Sequence, residues 1–205
     1  DSNAAFGYGA LLKNTTGSFN TGVGQGALES NTTAGYNTAV GFESLAENTT
    51  GASNAAFGYR ALVNNTTGDF NSAFGDTALF TSTTGNQNVA TGTQALYSNT
   101  TGSYNTANGV NALNGNTTGA NNTAYGNAAL YANTTGSYNT SSGMNSLIAN
   151  TTGAYNTAFG DAVLYSTTTG DYNTAIGRSA GASNVTGDGN VFIGYQAGYS
   201  ETGSN

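Results

Sequence analysis

The sequence contains no cysteine, histidine, proline or tryptophan. Without His and Cys, Cys–His and Ser–His–Asp catalysis and most zinc sites are excluded. A disulfide scaffold is excluded too, and cysteine usage leaves the redox compartment open. Basic residues are almost absent: Lys13, Arg60 and Arg178 stand against ten acids, for a net charge of −7. A phosphate backbone or an anionic membrane surface needs a basic patch, so neither is an expected partner. No apolar run approaches the ~20 residues of a membrane-spanning helix. No secretory leader is legible, so the chain reads as a mature protein or a fragment. Only 6% of residues are charged, where an ordinary soluble domain has roughly a quarter.

What fills the chain is glycine, 31 of 205 residues, together with Asn, Thr and Ser. Such a composition is compatible with disorder. Two features oppose that reading. Hydrophobic residues make up 37%, with 13 Tyr and 9 Phe, and they fall in strict register.

An Asn recurs at 3, 20, 37, 54, 71, 88, 105, 122, 139, 156, 173 and 190, always 17 residues on. Four residues after each comes a Gly, from Gly7 through Gly24 and Gly41 to Gly177 and Gly194. Twelve coils of 17 thus form a single repeat array over 1–205, without insertion or deletion. The consensus is S-Y-N-T-A-x-G-x-x-A-L-Y-x-N-T-T-G. The Leu column of Leu11 to Leu164 becomes Gly181 and Gly198, and the last coil, 189–205, is atypical and end-of-array-like.

Two helices and two turns do not fit in 17 residues, and Gly, Asn and Thr are poor helix formers. Short strands between turns fit, which predicts an all-β solenoid whose coils pair above and below. The pattern places one strand near T-A-x-G, a second near A-L-Y, and a turn at N-T-T-G. At ~4.8 Å per coil the rod would be roughly 55–60 Å long.

A residue type repeated twelve times is seldom a ligand contact. The column Asn20, Asn37, Asn54, Asn71, Asn88, Asn105, Asn122, Asn139, Asn156 and Asn173 therefore reads as a structural amide ladder that closes a turn. The Gly column reads as a positive-φ position, or as a place where two walls approach closely. No P-loop or dinucleotide fingerprint surrounds it. Ala39, Ala56, Ala73, Ala27, Ala61, Ala78 and the Leu column are the expected interior, a thin one for 17 ordered residues. The column before Gly (Phe6, Val23, Val40, Phe57, Phe74, Tyr125, Phe159, Ile176) and the column after Leu (Leu12, Val63, Phe80, Tyr97, Tyr131, Ile148, Tyr165) read as part-apolar exposed stripes. Such stripes mark interfaces and point to lateral association, most simply as a homotrimer.

The NTT column carries three readings. As a turn, Asn and Gly would take special backbone angles while Thr hydroxyls cap neighbours. As N-x-T sequons, Asn14, Asn31, Asn48, Asn65, Asn99, Asn116, Asn133, Asn150 and Asn184 would be glycan acceptors in a cell with the machinery, as would Asn64, Asn121 and Asn139. As an outward array, one Thr per coil would order water, as in ice-binding solenoids. The acids are scattered over variable columns. Asp69, Asp171 and Asp188 share one column, but most coils have Ser, Ala, Gly or Asn there. That excludes a calcium-binding solenoid, which needs an Asp in every repeat. No catalytic, cofactor or metal site is expected.

N-T-A-x-G-x-x-A-L resembles the head-domain repeat of trimeric autotransporter adhesins. The longer T-G-S-Y-N-T-A-x-G-x-x-A-L-Y-x-N-T-T-G is similar to arrays in tail-fibre-type bacterial and phage surface proteins. The resemblance spans the whole chain. It implies a left-handed β-roll, a homotrimer and an extracellular or virion-fibre location. The 17-residue coil departs from the shorter coil usual in adhesin heads. The expected function is a non-enzymatic stalk, fibre or adhesin segment. Its partners would be other copies of the chain and host or environmental surface glycans or proteins. The alternatives are a self-assembling filament subunit and an ice-binding solenoid.

Overall fold

The computed structural model describes residues 2–203; Asp1, Ser204 and Asn205 of the first and last coils lie outside them. Twelve three-residue strands, from β1 (Ala4–Phe6) and β2 (Thr21–Val23) to β12 (Val191–Ile193), recur at the 17-residue period. They form one parallel sheet in chain order, each strand paired in register with the next coil, Thr21 with Thr38 and Val23 with Val40. Among the described residues there is no helix. The fold is an all-β parallel solenoid, the class the period predicts.

Each coil has one strand, not two. The A-L-Y segment forms overlapping turns. Ala27 N–H donates to the Gly24 carbonyl at 3.3 Å and Glu29 N–H to the Gly26 carbonyl at 3.3 Å. The third residue of each such turn sits at positive φ, where Gly or Asn is the usual choice. In this chain the second turn puts Leu there: Leu11 to Leu164 have φ of 48–55°. That geometry breaks strand pleating. Coil-to-coil bonding continues regardless, as when Leu28 N–H donates to the Ser44 carbonyl at 3.1 Å. A left-handed L-residue costs roughly 1–2 kcal/mol. Complete burial of each Leu from Leu28 to Leu164 offsets it, at about 1.5–3 kcal/mol per side chain.

The interior has two halves. Alanines such as Ala39 and Ala56 on the strand face Ala61, Ala78 and the leucines, all fully buried. The other half is amide. At the last coils the packing inverts: Phe192 takes the strand position that Ala holds in most coils, and Gly181 and Gly198 replace Leu. A β-carbon on Gly181 would lie 2.5 Å from Phe192 Cδ2, and one on Gly198 would also strike the ring. The ring fills the volume those leucines would take.

The Gly column shows both properties read from sequence. Its φ values run from 117° to 147°. A β-carbon on Gly92 would meet Gly109 C at 2.7 Å, backbone against backbone.

Candidate functional surface

The side chains with chemistry to offer are in the amide half of the interior and on the outer columns. The ladder Asn residues are buried and pair both ways. In Asn37, Nδ2 donates to the Gly51 carbonyl at 2.9 Å, while Oδ1 accepts from the Asn54 backbone N–H at 2.9 Å. The pattern repeats from Asn20 to Asn173. From Asn88 onward several amides also donate to the Oδ1 of the preceding Asn, as Asn105 does to Asn88 at 3.2 Å. The column closes each coil internally and leaves nothing for a ligand.

The Asn of N-T-T-G forms a second inward ladder. Asn48 Nδ2 donates to Asn31 Oδ1 at 2.9 Å and to the Gly51 carbonyl at 2.9 Å. The turn reading of this segment needs correcting, since neither this Asn nor the following Gly has positive φ. The Gly is required because a β-carbon would collide with amides and backbone; on Gly68 it would meet Asn71 Nδ2 at 3.1 Å. The Thr part of the reading stands. The first Thr of each pair donates its hydroxyl to the carbonyl of its counterpart one coil on, as in Thr32 to Thr49 at 3.0 Å and Thr117 to Thr134 at 3.0 Å.

This second ladder removes most of the candidate glycan acceptors from the surface. Asn31, Asn48, Asn65, Asn99, Asn116, Asn133, Asn150 and Asn184 are fully buried. Their amide nitrogens are engaged, so a folded coil offers no transferase an acceptor there. Asn14 is half-buried, and its Nδ2 donates to the Gly17 carbonyl at 3.0 Å. Asn139 belongs to the first ladder, and the half-buried Asn64 donates to the Phe80 carbonyl at 2.8 Å. Only Asn121 among these sequons is exposed.

The acids have structural or rim positions. Asp69 Oδ1 accepts from Ala52 N–H at 2.7 Å, and Asp171 Oδ1 from Ala154 N–H at 2.7 Å. Ser103 and Ser137 do the same work with hydroxyls, which is why the column tolerates either. Glu43 pairs with Arg60 at 3.0 Å and Asp161 with Arg178 at 3.4 Å, both between adjacent coils. Among the described residues no group of three or more acids could hold a metal ion, and no helix is long and apolar enough to cross a membrane.

Four kinds of outer column remain. The second Thr of each N-T-T is exposed, in single file from Thr16 to Thr186. The column before Gly exposes Phe74, Tyr125, Phe159 and Ile176. The column after Leu is mixed, with Tyr131 and Tyr165 exposed but Val63 buried. The column before the ladder Asn exposes Phe19, Tyr36, Phe70, Tyr104, Tyr138, Tyr155 and Tyr172. Adjacent rings in it stack: Phe19 on Tyr36 at 5.1 Å, Tyr138 on Tyr155 at 4.8 Å, Tyr155 on Tyr172 at 4.9 Å. An open depression lies on this row, lined by Phe70, Gln87 and Val89.

Sequence reasoning missed the inward role of the N-T-T Asn and the left-handed backbone of the Leu column. A signal for the latter was present in Gly181 and Gly198, since Gly replacing Leu in one column marks a positive-φ position. No known protein family, curated protein or solved structure matches the chain.

Proposed function

We propose that the chain is a non-enzymatic extracellular scaffold, the rod of a surface fibre, stalk or adhesin. The observation that carries this reading is the uniformity of the columns. The polar groups of the interior are repeated along the rod and bond coil to coil, and the charges lie singly or in pairs on the rim. An active site needs a local departure from the scaffold; a stalk needs none. In this reading the coils are left-handed and three copies associate laterally through the apolar column of Phe74, Tyr125, Phe159 and Ile176. Support comes from the exposure of that stripe and from the resemblance to adhesin-head and tail-fibre repeats.

The test is mass in solution by light scattering together with negative-stain imaging. Trimeric rods of uniform length are expected. A monomer sinks the lateral association, and a globular particle sinks the scaffold itself. A self-assembling filament subunit is the alternative that the same images test. Long end-to-end polymers in the same images would establish it in place of discrete rods.

A further inference from the structure

The row before the ladder Asn holds bulky rings in a costly backbone conformation, and ring stacking offsets that cost only where two rings are adjacent. Phe19, Tyr36, Phe70, Tyr104, Tyr138, Tyr155 and Tyr172 all have φ between 57° and 62°. That region suits Gly and Asn and is a true outlier for bulky side chains. Asn121 and Gly189 hold the same column at φ 58° and 69°, so the coil closes without a ring there. The buried leucines have a comparable φ but fill the core. The rings of this row do not: Tyr36 is 66% exposed, Phe70 60% and Tyr104 55%. Bulky residues held in a disfavoured conformation and left in solvent point to a ligand.

The order of residues along the row narrows the ligand. From Tyr36 to Tyr138 it reads Tyr36, Ser53, Phe70, Gln87, Tyr104, Asn121, Tyr138. Aromatic and hydrogen-bonding side chains alternate coil by coil. Adjacent stacked rings of this column are 4.8–5.1 Å apart, so the alternating aromatics repeat at roughly 10 Å. An extended β-1,4-linked pyranose chain advances by about one coil per sugar, and successive sugars are flipped. Every second sugar therefore meets an aromatic side chain in the same orientation. The intervening sugars present hydroxyls to Ser53, Gln87 and Asn121. The depression lined by Phe70, Gln87 and Val89 lies at one such aromatic–amide step.

Charge excludes the competing polymers. None of the three cations lies in this column, and Asp69 and Asp171 flank it. Nucleic acids and uronate-rich polysaccharides are thereby repelled, and a neutral glycan is not. We propose that the Tyr36–Tyr138 row binds a neutral β-1,4-linked polysaccharide laid along the rod axis. The proposal rests on the scaffold reading only in needing an intact rod in contact with such polymers.

The test is calorimetric titration of the intact chain with cellohexaose and chitohexaose, with α-linked maltohexaose as control. Binding of at least one β-linked hexasaccharide and none of maltohexaose is expected. The double variant Phe70→Asn/Tyr104→Asn keeps a residue type this column already accommodates, so the fold is retained. It should weaken binding about tenfold or more, at roughly three- to tenfold per ring. Wild-type chain that binds neither β-linked probe, equal binding of maltohexaose, or undiminished binding by the variant overturns the proposal. So does dissociation of an oligomer by the two substitutions, since the row would then be a contact between copies. A chain that images as a rod and binds no hexasaccharide refutes the glycan site alone; a chain that is not a rod refutes the scaffold reading.

Discussion

Asn37 and Asn48, eleven residues apart in one coil, donate their side-chain amides to the same carbonyl, that of Gly51, each at 2.9 Å. Both oxygen atoms of these side chains are then used by the next coil, Asn37 Oδ1 by the Asn54 N–H and Asn48 Oδ1 by Asn65 Nδ2. One half of the interior is thus held by directed bonds, and each amide satisfies groups in two coils. An interior made only of Ala and Leu would resist sliding between coils weakly, whereas a bonded amide column sets the register.

Removing one rung should therefore cost more than one hydrogen bond. Asn105→Ala deletes the donor to the Gly119 carbonyl and the acceptor of the buried Asn122 N–H. The Gly119 carbonyl keeps Asn116 Nδ2 as a donor at 3.0 Å, so the Asn122 N–H alone is left unpaired, and a loss of about 1–3 kcal/mol is expected. Urea unfolding followed by circular dichroism reads it. A loss under about 0.5 kcal/mol would show that the ladder is incidental.

The N-T-T ladder has two gaps, and repairing one should stabilise the rod. Ser82 and Thr167 replace Asn in that column. The preceding oxygens, Asn65 Oδ1 and Asn150 Oδ1, are buried without a hydrogen-bond partner, and so is Ser82 Oγ. Ser82→Asn restores a donor to Asn65 and an acceptor for Asn99, in a space the neighbouring coils fill with Asn. A gain of about 1–3 kcal/mol is expected, seen as a higher melting temperature. Thr167→Asn should gain less, because Thr167 already donates its hydroxyl to the Asn184 carbonyl at 2.8 Å.

Glycines of the two positive-φ columns should respond differently to the same substitution. In Gly109→Ala the new β-carbon meets the backbone of Gly126, at φ 147°. Neither wall can yield, and a loss of about 3 kcal/mol or more is expected. In Gly26→Ala the nearest atom is Glu43 Cγ at 3.4 Å, and Ala128 already occupies the equivalent place at φ 54°. That change should stay within about 1 kcal/mol. Equal losses at both sites would overturn the close-approach account of the first column.

The period, the ladder Asn, the close-packed Gly and the Ala and Leu interior were legible because each is a column invariant in type, and period and burial are read directly from repetition. The single strand per coil was not. A-L-Y alternates like a strand, and Leu at φ near 50° contradicts its own propensity, so local preference pointed to the wrong element. The N-T-T Asn misled for a related reason. Asn next to Thr and Gly is ordinary turn composition, and only stacking in register converts its amide into a buried rung. The Tyr before the ladder Asn stands in the consensus, but the left-handed backbone that makes it costly was not legible there.

The exchange of bulk between Phe192 and the glycines facing it should appear as coupling. Phe192→Ala alone opens a cavity beside Gly181 and Gly198 and should cost about 3–5 kcal/mol. Gly181→Leu alone drives a side chain into the ring and should also destabilise, since its β-carbon already falls 2.5 Å from Phe192 Cδ2. Together they rebuild the Ala–Leu packing of the earlier coils, as Ala175 and Leu164 show it, both fully buried. The double variant should therefore be more stable than the sum of the singles by about 1–3 kcal/mol. A double-mutant cycle from thermal or urea unfolding measures this term. Strict additivity would mean that Phe192 and the two glycines are independent substitutions, not one repacked layer of the same core.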